Sequence, residues 1–480
     1  MQLLMDNIGS IVVLKDGKSW SKDKLSSEVA KRSMTLSSLG IKQGDRILIL
    51  HGGSAEFFAD LFAVWNIGAC AACINPDSTI SEIKIINKFI KPKLALISNN
   101  NSNLVNVNAV NLTDNTVVDS TLHKSSRIDD DALILFTSGT TGVPKGVVHT
   151  FRSLLSRIVL NQKEIPEKDM EVTLSPLPTH FGHGLIGNCL TPLLTGKQLI
   201  LASGGDIGFI AKLGEVIDKY GVTFMSSVPS MWKIAIKMSH SPKMKTLRRI
   251  HIGSAPLSAD LWKNVIVWAG IRTVVNMYGI TETANWIAGA SADDFDPEDG
   301  LVGHTWGGFA AIYKDNGDFL SHGKGEILVQ NPSIMSGYYL QEKLNNEALL
   351  NGWFRTGDIG TIDKKGVIRI TGRKKFEINR AGLKIHPEDI DILLEQHPSI
   401  NEACAFAIPD TIAGEIVGVA ICYVEGKTID INELESWCIE RLVKEKVPEK
   451  WFVLDEIPKT DRGKINRDIV ASICQEQGMA

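Results

Sequence analysis

Short apolar runs alternate with longer stretches whose apolar residues recur every three or four positions. The runs end in Gly, Ser or Pro and predict strands, at residues 46–52, 94–98, 133–139 and 223–229. The helical spacing occurs in residues 27–40, 151–163 and 209–221. Strands that alternate with helices indicate parallel sheets covered by helices, so the sequence predicts an α/β fold.

The pattern changes after about residue 325. Residues 325–330 and 366–373, with the turn at 363–366, predict antiparallel hairpins. A helix from 387, strands at 403–409 and 416–426 and a helix from 432 follow. The sequence therefore predicts a large N-terminal domain with a hairpin-rich section and a small α+β C-terminal domain, with the boundary near 373–376.

Composition narrows the classes of function. The chain has 480 residues, of which 44% are hydrophobic and 22% charged, typical of a globular protein and not of a disordered, collagenous or coiled-coil chain. The net charge of −4 does not indicate nucleic acid as a partner. From Phe376 onward, 11 Lys and Arg face 20 Asp and Glu, a charge of −9, so the preceding residues carry +5. This asymmetry favours an N-terminal part that binds anions and a separate, acidic C-terminal part.

Cysteine usage and hydropathy bear on location. Seven scattered cysteines indicate a reducing compartment, and Cys70 and Cys73 lie in an apolar run that predicts buried residues and not a metal or redox pair. The most apolar stretch, 57–74, contains Asp60, Asn66 and Gly68, which predicts a buried helix and strand and not a membrane span. No signal peptide is visible at the start, so we expect a cytoplasmic protein.

A glycine-rich segment follows the predicted strand that ends at Phe136. Its glycines let backbone N–H groups converge on an anion, its hydroxyls add donors, and its lysine adds a positive charge. The segment does not have the Walker A spacing. It predicts a polyphosphate site made by Thr137, Ser138, Gly139, Thr140, Thr141, Gly142 and Lys145.

This segment, TSGTTGVPKG, resembles the phosphate loop of the adenylate-forming enzymes, a superfamily of acyl-CoA synthetases, adenylation domains and firefly-type luciferases. Further motifs that resemble the family's follow in its order. They are GSAPLS (253–258), YGITET (278–283), WFRTGD (353–358), GR (372–373) and PKTDRGKINR (458–467). The resemblance covers almost the whole chain and implies ATP, Mg²⁺ and CoA, or the phosphopantetheine of a carrier protein, as cofactors.

The resemblance also implies roles for single residues. Tyr278 stacks on adenine, along which lies the turn of Gly253, Ser254, Ala255 and Pro256. Thr281 contacts the α-phosphate and Glu282 holds Mg²⁺. Asp358 accepts from the ribose hydroxyls, Arg373 contacts ribose or phosphate, and Lys464 is the catalytic lysine.

The implied reaction has two steps, the formation of an acyl-AMP with release of pyrophosphate and the transfer of the acyl group to a thiol. Family enzymes turn the small domain about a hinge between these steps. By resemblance, residues 1–373 are the adenylation core, 374–376 the hinge with Lys375, and 377–480 a mobile lid that carries Lys464. Gly382 and Lys384 lie in a segment that resembles the thiolation motif.

Residues 176–187 correspond to the start of the family's acyl pocket. Amino-acid-activating members have an Asp that pairs with the substrate ammonium, where this chain has Gly182 and His183. Because a buried ammonium without a partner is costly, we expect a carboxylic acid without an α-amino group. For His180 and His183, pocket-lining and structural roles are both open. Ser227, Trp232 and Trp286 are candidate pocket walls.

The sequence leaves open which molecule accepts the acyl group. Free CoA is the first expectation, a separate carrier protein the second, and an amine acceptor or luciferase-like oxidation the third. A non-catalytic nucleotide-binding module is the alternative from another class. The partners expected are thus a small carboxylic acid and CoA or a carrier protein, without nucleic acid and without a membrane span.

Overall fold

The computed structural model describes residues 7–98, 108–113, 127–137, 145–202, 205–380, 383–460 and 463–478. Its contacts divide the chain into two compact units. The first comprises Met1–Pro297, Gly303–Phe309 and Val329–Phe354, and the second comprises Glu298–Val302, Ala310–Leu328 and Arg355–Ala480. The boundaries 1–373, 374–376 and 377–480 stay predictions.

The strands are numbered in chain order. They are β1 Ile11–Val13, β2 Ser19–Trp20, β3 Arg46–Ile49, β4 Cys70–Cys73, β5 Leu94–Leu96, β6 Ala109–Val110, β7 Asp131–Thr137, β8 Lys145–Thr150, β9 Val172–Ser175, β10 Gln198–Leu201, β11 Phe224–Ser227, β12 Arg249–Ile252, β13 Val274–Ile280, β14 Asn285–Ser291, β15 Leu301–Thr305, β16 Phe309–Tyr313, β17 Phe319–Leu320, β18 Gly323–Gln330, β19 Gly337–Tyr338, β20 Leu349–Leu350, β21 Trp353–Ile362, β22 Ile368–Arg373, β23 Ile378–Arg380, β24 Leu383–Ile385, β25 Ile400–Asp410, β26 Gly414–Tyr423 and β27 Lys450–Val453.

The α-helices are numbered in the same way. They are α1 Lys22–Ser38, α2 Ala55–Asn66, α3 Ile80–Ile90, α4 Phe151–Glu164, α5 Thr191–Leu193, α6 Ile207–Ala211, α7 Leu213–Tyr220, α8 Pro229–Met238, α9 Ala259–Ala269, α10 Glu342–Ala348, α11 Pro387–Leu394, α12 Ile431–Ile439 and α13 Arg467–Gly478. His183–Leu190 forms a π-helix, and Glu167–Asp169, Thr281–Thr283, Lys374–Phe376 and Lys444–Lys446 form 3₁₀ turns. Side-chain caps explain several starts; Thr79 and Glu82, for example, form a capping box at α3.

The first sheet of the first unit has the strand order β19-β8-β7-β4-β3-β5-β6. Its central strands run parallel, and β8 and β19 continue it antiparallel. Apolar side chains cover both faces, as expected where helices pack on a mostly parallel sheet. The β7–β8 hairpin, which flanks the predicted phosphate loop, is therefore anchored by strands whose apolar side chains are buried.

The second sheet of this unit has the order β14-β13-β12-β11-β9-β10-β1-β2. The strands β13, β12, β11, β9, β10 and β1 run parallel, so their carboxyl ends lie along one edge. In open α/β sheets ligands bind at that edge. The segments that follow β9, β11, β12 and β13 carry the predicted pocket and nucleotide residues.

The second unit contains two groups of strands. The strands β17-β16-β18-β21-β22 are neighbours in that order, and β21 and β22 form the predicted antiparallel hairpin. The other sheet has the order β24-β23-β26-β25, with β27 beside β26. Its apolar face packs with residues of α11 and α12. The predicted α+β character of this part of the chain is confirmed.

The local predictions agree with the structure except at the start of one helix and in the middle of another. The predicted strands correspond to β3, β5, β7 and β11, and the helix predicted at 151–163 to α4. The helix predicted at 27–40 begins earlier, at Lys22, where Ser21 caps it. The helix predicted at 209–221 was wrong as one element: it breaks at Lys212, which has φ −106° and ψ 13°, into α6 and α7.

The prediction that Cys70 and Cys73 are buried is confirmed. Both lie on β4 and belong to apolar clusters on opposite faces of the sheet, as expected for strand residues three positions apart. Burial raises the pKa of both thiols. Residues 57–74 form the end of α2 and β4, and no helix in the described part of the chain could cross a membrane.

A buried carboxyl group lies at the start of α11 in the second unit. Arg467 is 2.7 Å from Asp391 and 3.7 Å from Glu388, so its charge is mainly paired with Asp391. Burial raises the pKa of Glu388 to about 7, although Arg467 opposes the shift. Among the described residues, Glu388 Oε2 has no hydrogen-bond partner. A Cβ atom at Gly372 would lie 2.8 Å from this oxygen, so the packing is tight.

We predict that Glu388→Gln removes part of the pH dependence of stability. The folded pKa lies above the ordinary carboxyl value, so the folded protein holds a proton that the unfolded chain loses. Wild-type stability should therefore fall as the pH rises towards about 7, by at most about 3 kcal/mol. Denaturant unfolding at pH 5 and pH 8 should show the variant gaining relative to wild type at the higher pH. Exposed Glu456→Gln is the control, and parallel pH profiles for Glu388→Gln and wild type would contradict the prediction.

Candidate active site

The β7–β8 hairpin flanks the predicted phosphate loop. Thr137 lies opposite Lys145 at the end of the ladder. The remaining predicted loop residues, Ser138, Gly139, Thr140, Thr141 and Gly142, lie outside the described residues. The ammonium group of Lys145 lies 5.8 Å from the ring centre of Tyr338, a cation–π contact.

Tyr338 connects this hairpin to the predicted magnesium ligand. It lies on β19, opposite Val147 of β8, so the strand register determines its position. Its hydroxyl donates to Glu282 Oε1 over 2.8 Å. The sequence analysis missed Tyr338, because 56 residues separate it from Glu282 and its surroundings carry no motif. The structure thus brings Lys145, Tyr338 and Glu282 together.

The backbone carbonyls of the turn Thr281–Thr283 accept hydrogen bonds from two other segments. His149 Nε2 donates to the Thr281 carbonyl over 2.8 Å, and the Met335 N–H donates to the Glu282 carbonyl over 2.7 Å. Burial lowers the pKa of the His149 imidazole to about 4, so the ring is neutral at physiological pH. His149 is therefore a second residue that motif reading missed.

A buried arginine supports the same turn from behind. Arg157 donates to Ser333 Oγ over 2.6 Å and to the Trp306 carbonyl over 3.2 Å. Ser333 in turn donates to the Thr283 carbonyl over 2.8 Å. Burial lowers the pKa of Arg157 to about 9. The turn is thus anchored to α4 as well as to β8 and β19.

The residues present fit one magnesium ion that is shared with a bound nucleotide. In the described part of the chain, no three His, Cys, Asp or Glu side chains are grouped to hold a metal by themselves. Magnesium is often held by one or two carboxylates together with substrate phosphates. Glu282 is half-buried, and Tyr338 orients its carboxylate beside Lys145. A single oriented carboxylate beside the predicted phosphate loop matches that requirement.

The predicted adenine turn follows β12. A Cβ atom at Gly253 would lie 2.9 Å from the Met277 carbonyl oxygen, so only glycine fits there. Ser254 has φ +70°, and its hydroxyl lies 2.7 Å from His183 Nδ1. Ala255 is half-buried and Pro256 exposed. On the neighbouring strand β13, Tyr278 is half-buried opposite Ala288.

The candidate pocket residues occupy different environments. His183 is buried, with Nε2 2.6 Å from Ser226 Oγ, while His180 is half-buried beside Phe181. The hydroxyl of Ser227 accepts from Trp232 Nε1 and donates to the His251 carbonyl within the core. Trp286 is 1% exposed among other rings. The structure thus gives His183 two polar partners and packs Ser227, Trp232 and Trp286 tightly.

In the second unit, the two residues predicted to contact ribose are neighbours. Asp358 on β21 lies opposite Arg373 on β22, and Arg373 Nε is 2.6 Å from Asp358 Oδ1. Asp358 is 3% exposed and half of the Arg373 side chain is exposed. The pair therefore presents a buried carboxylate beside an accessible cation.

The predicted catalytic lysine lies in a tight turn before α13. The Thr460 N–H donates to the Lys464 carbonyl over 2.7 Å, and Gly463 has φ +70°. Four residues after Lys464, Asp468 Oδ2 lies 2.8 Å from Nζ of the predicted hinge residue Lys375. Of the two residues in the predicted thiolation segment, Gly382 lies outside the described residues and Lys384 lies on β24.

We predict that Tyr338→Phe weakens binding of MgATP. The variant keeps the ring beneath Lys145 but removes the hydroxyl that orients Glu282. A hydrogen bond to a charged group is worth about 1.5–3 kcal/mol, so the Kd measured by calorimetry should rise roughly tenfold or more. The matched control is Tyr339→Phe, because the Tyr339 ring packs against Phe89. An unchanged Kd for Tyr338→Phe would contradict the role of this hydroxyl.

Solved structures of similar fold span nearly the whole chain. ATP-bound MatB from Rhodopseudomonas palustris has a TM-score of 0.90 at 23% identity and covers 98% of this chain and 97% of its own. The o-succinylbenzoate CoA synthetase MenE from Bacillus subtilis, in complex with ATP and a magnesium ion, has a TM-score of 0.87 at 24% identity, with 97% and 98% covered. At these identities the likeness concerns the fold.

Sequence comparison identifies the family. An oxalate–CoA ligase from Arabidopsis thaliana is 29% identical over 468 residues, which cover 92% of this chain and 90% of that protein. A family model described as AMP-binding enzyme matches residues 6–339, and one described as AMP-binding enzyme C-terminal domain matches residues 389–464. Because the match of the first family model, to residues 6–339, covers more than half of the chain, the protein belongs to the AMP-binding enzymes, the adenylate-forming superfamily.

Proposed function

We propose that the protein is an AMP-forming ligase that joins a non-amino carboxylic acid to coenzyme A. In the first step a carboxylate oxygen bonds to the α-phosphorus of ATP and pyrophosphate leaves. In the second step the CoA sulfur loses its proton, bonds to the acyl carbon and displaces AMP. The observation that carries the proposal is the cluster of Lys145, Tyr338 and Glu282 in a chain of this family.

The first step brings together two anions, so catalysis depends on positioning and on positive charge. Lys145 binds the β- and γ-phosphates together with donors of the loop. Thr281 contacts the α-phosphate, in a turn that His149 and Met335 hold. Glu282 would hold Mg²⁺, which would supply positive charge to the leaving pyrophosphate.

Nucleotide recognition also uses the adenine and the ribose of ATP. Tyr278 stacks on the adenine beside the turn of Gly253, Ser254, Ala255 and Pro256. Asp358 accepts from the ribose hydroxyls, and Arg373, 2.6 Å away, balances the charge of this buried carboxylate. The close contact between the two side chains supports a joint role.

Lys464 acts in the first step by bridging the attacking carboxylate and the α-phosphate. Its turn lies in the part of the chain that the C-terminal family model matches. The proposed lid is 377–480, and it turns about the hinge 374–376 for the second step. Lys375 is then released from Asp468, with which it forms an exposed ion pair. Gly382 and Lys384 belong to the proposed thiolation segment.

Coenzyme A is the proposed acceptor, because the oxalate–CoA ligase from Arabidopsis thaliana, whose similarity extends over 92% of this chain, is a CoA ligase. The alternative within the same chemistry is a separate carrier protein that bears phosphopantetheine. A cytoplasmic location remains part of the proposal and rests on the scattered, buried cysteines, since all seven are free thiols.

We predict acid-dependent exchange of pyrophosphate into ATP, followed by thioester formation when CoA is added. The measurements are incorporation of labelled pyrophosphate with a panel of acids and detection of acyl-CoA by mass spectrometry. The control omits the acid. Nucleotide binding without any acid-dependent exchange would contradict the ligase, and transfer to a phosphopantetheinyl protein but not to CoA would favour the alternative acceptor.

We predict that Lys464→Ala abolishes acyl-AMP formation but leaves transfer from supplied acyl-AMP to CoA. Loss of such a charge contact lowers the rate roughly 10²- to 10³-fold, and the second step needs no contact between this lysine and ATP. The two half-reactions are measured separately by rapid quench. Exposed Lys450→Ala in the same unit is the control. Equal loss of both half-reactions would contradict the assignment of Lys464 to the first step.

A further inference from the structure

The π-helix His183–Leu190 packs on β14 without a gap at its centre. A Cβ atom at Gly187 would lie 1.8 Å from Asn285 Nδ2 and 3.0 Å from Trp286 Cζ2. The amide and the indole therefore rest directly on the helix backbone. Asn285 is also in close contact with β13. A Cβ atom at Gly279, on that strand, would lie 2.4 Å from the Asn285 carbonyl oxygen.

Four buried rings, Phe224, His251, Trp286 and Trp306, pack behind this contact and are called the aromatic block. The ring centres of His251 lie 4.7 Å from Trp286, 4.8 Å from Phe224 and 5.4 Å from Trp306, all edge to face. Burial lowers the pKa of His251 far below its ordinary value, so the block is uncharged. Through Trp286 the block is in contact with both the π-helix backbone at Gly187 and the ring of His183.

The side of the π-helix nearest the proposed reaction centre is polar. A Cβ atom at Gly182 would lie 3.7 Å from Thr281 Cα, so the start of the helix touches the residue proposed at the α-phosphate. The next residue, His183, has its ring nitrogens within 2.7 Å of Ser254 Oγ and 2.6 Å of Ser226 Oγ. The ring centre of Trp286 lies 6.0 Å from that of His183.

We propose that the acid is short and carries a second hydrogen-bonding group, which the hydroxyl of Ser254, oriented by His183, recognises, while Trp286 ends the pocket. The proposal rests on the proposed function, because that function places the reacting carboxylate beside Thr281. From there the rest of the acid meets the imidazole and the hydroxyl first and the aromatic block behind them. His183 and Ser254 are thus specificity-determining residues.

Two physical arguments favour this class of acid over a long alkyl acid. Both ring nitrogens of His183 already have partners, Ser254 and Ser226, so the hydroxyl of Ser254 is the group with further hydrogen-bonding capacity. An alkyl chain would cover this hydroxyl without offering it a second hydrogen bond, which is unfavourable. It would also need the volume of Trp286, which is 1% exposed and in contact with four rings. A short acid with a polar end avoids both costs.

The first test compares acids on the wild-type protein by pyrophosphate release. Glycolate, malonate and succinate carry a second polar group, and butyrate, hexanoate and octanoate do not. The best polar short acid should exceed octanoate in kcat/KM by about 100-fold or more. Equal or better use of hexanoate or octanoate would overturn the inference but leave the ligase function standing. No turnover of any acid would overturn both.

The second test changes the end of the pocket. Trp286→Ala should raise kcat/KM for hexanoate relative to the best short acid by about tenfold or more. Because removing a fully buried indole destabilises its surroundings, Trp286→Leu is the second variant, and both are compared by thermal melting. Trp268→Leu, at a buried indole on α9, is the matched control. An unchanged ratio in a folded Trp286 variant would overturn the role of Trp286.

The third test separates recognition of the acid from support of the nucleotide turn. In His183→Ala the KM for the best polar acid should rise about tenfold or more, with the KM for ATP within about twofold of wild type. The KM for butyrate should change less, and His183→Asn, which keeps a donor, should recover part of the loss. An equal rise in both KM values would mean that His183 only supports the nucleotide turn and would overturn its role in specificity.

Discussion

The turn Thr281–Glu282 is the constraint on which the proposed site depends. It follows a parallel strand at the edge where ligands of α/β sheets bind. Its two carbonyls accept from His149 and Met335, and its carboxylate accepts from Tyr338. These three donors come from the end of β8, from the segment before β19 and from β19 itself. Because two separate segments hold it, the turn can keep a fixed geometry while charge on a bound nucleotide changes.

Electrostatics explains why several segments of the chain hold one short turn in place. A carboxylate and a polyphosphate repel each other, and a rigid set of donors stabilises the developing charge without reorganising. Burial keeps His149 neutral, so its ring acts as a donor and adds no charge, while Lys145 supplies positive charge on the same strand. Buried Arg157 supports the turn through Ser333 and remains remote from solvent. The charged and the neutral donors thus have different tasks.

The fold was largely predictable because its signals are local. Apolar runs that end in turn residues predict strands such as β3 and β7, and helical spacing predicts α4. The helix break at Lys212 was not predictable in this way, because the apolar spacing continues across it. Gly214 just after the break lies so close to the His240 carbonyl that a Cβ atom would come within 2.0 Å. A distant backbone contact, absent from the local pattern, accompanies the break.

The sequence by itself determined the fold class, the strand before the predicted phosphate loop and the order of the motifs, because each depends on residues that are neighbours in the chain. Only the tertiary structure decided which side chains complete them. His149 and Thr281 are 132 residues apart, Tyr338 and Glu282 are 56 apart, and His183 and Ser254 are 71 apart. Strand order and register bring these pairs together, and neither can be read from the spacing of apolar residues in the sequence. The physical reason is that a hydrogen bond requires proximity in space, whereas periodicity records only which face of an element is buried.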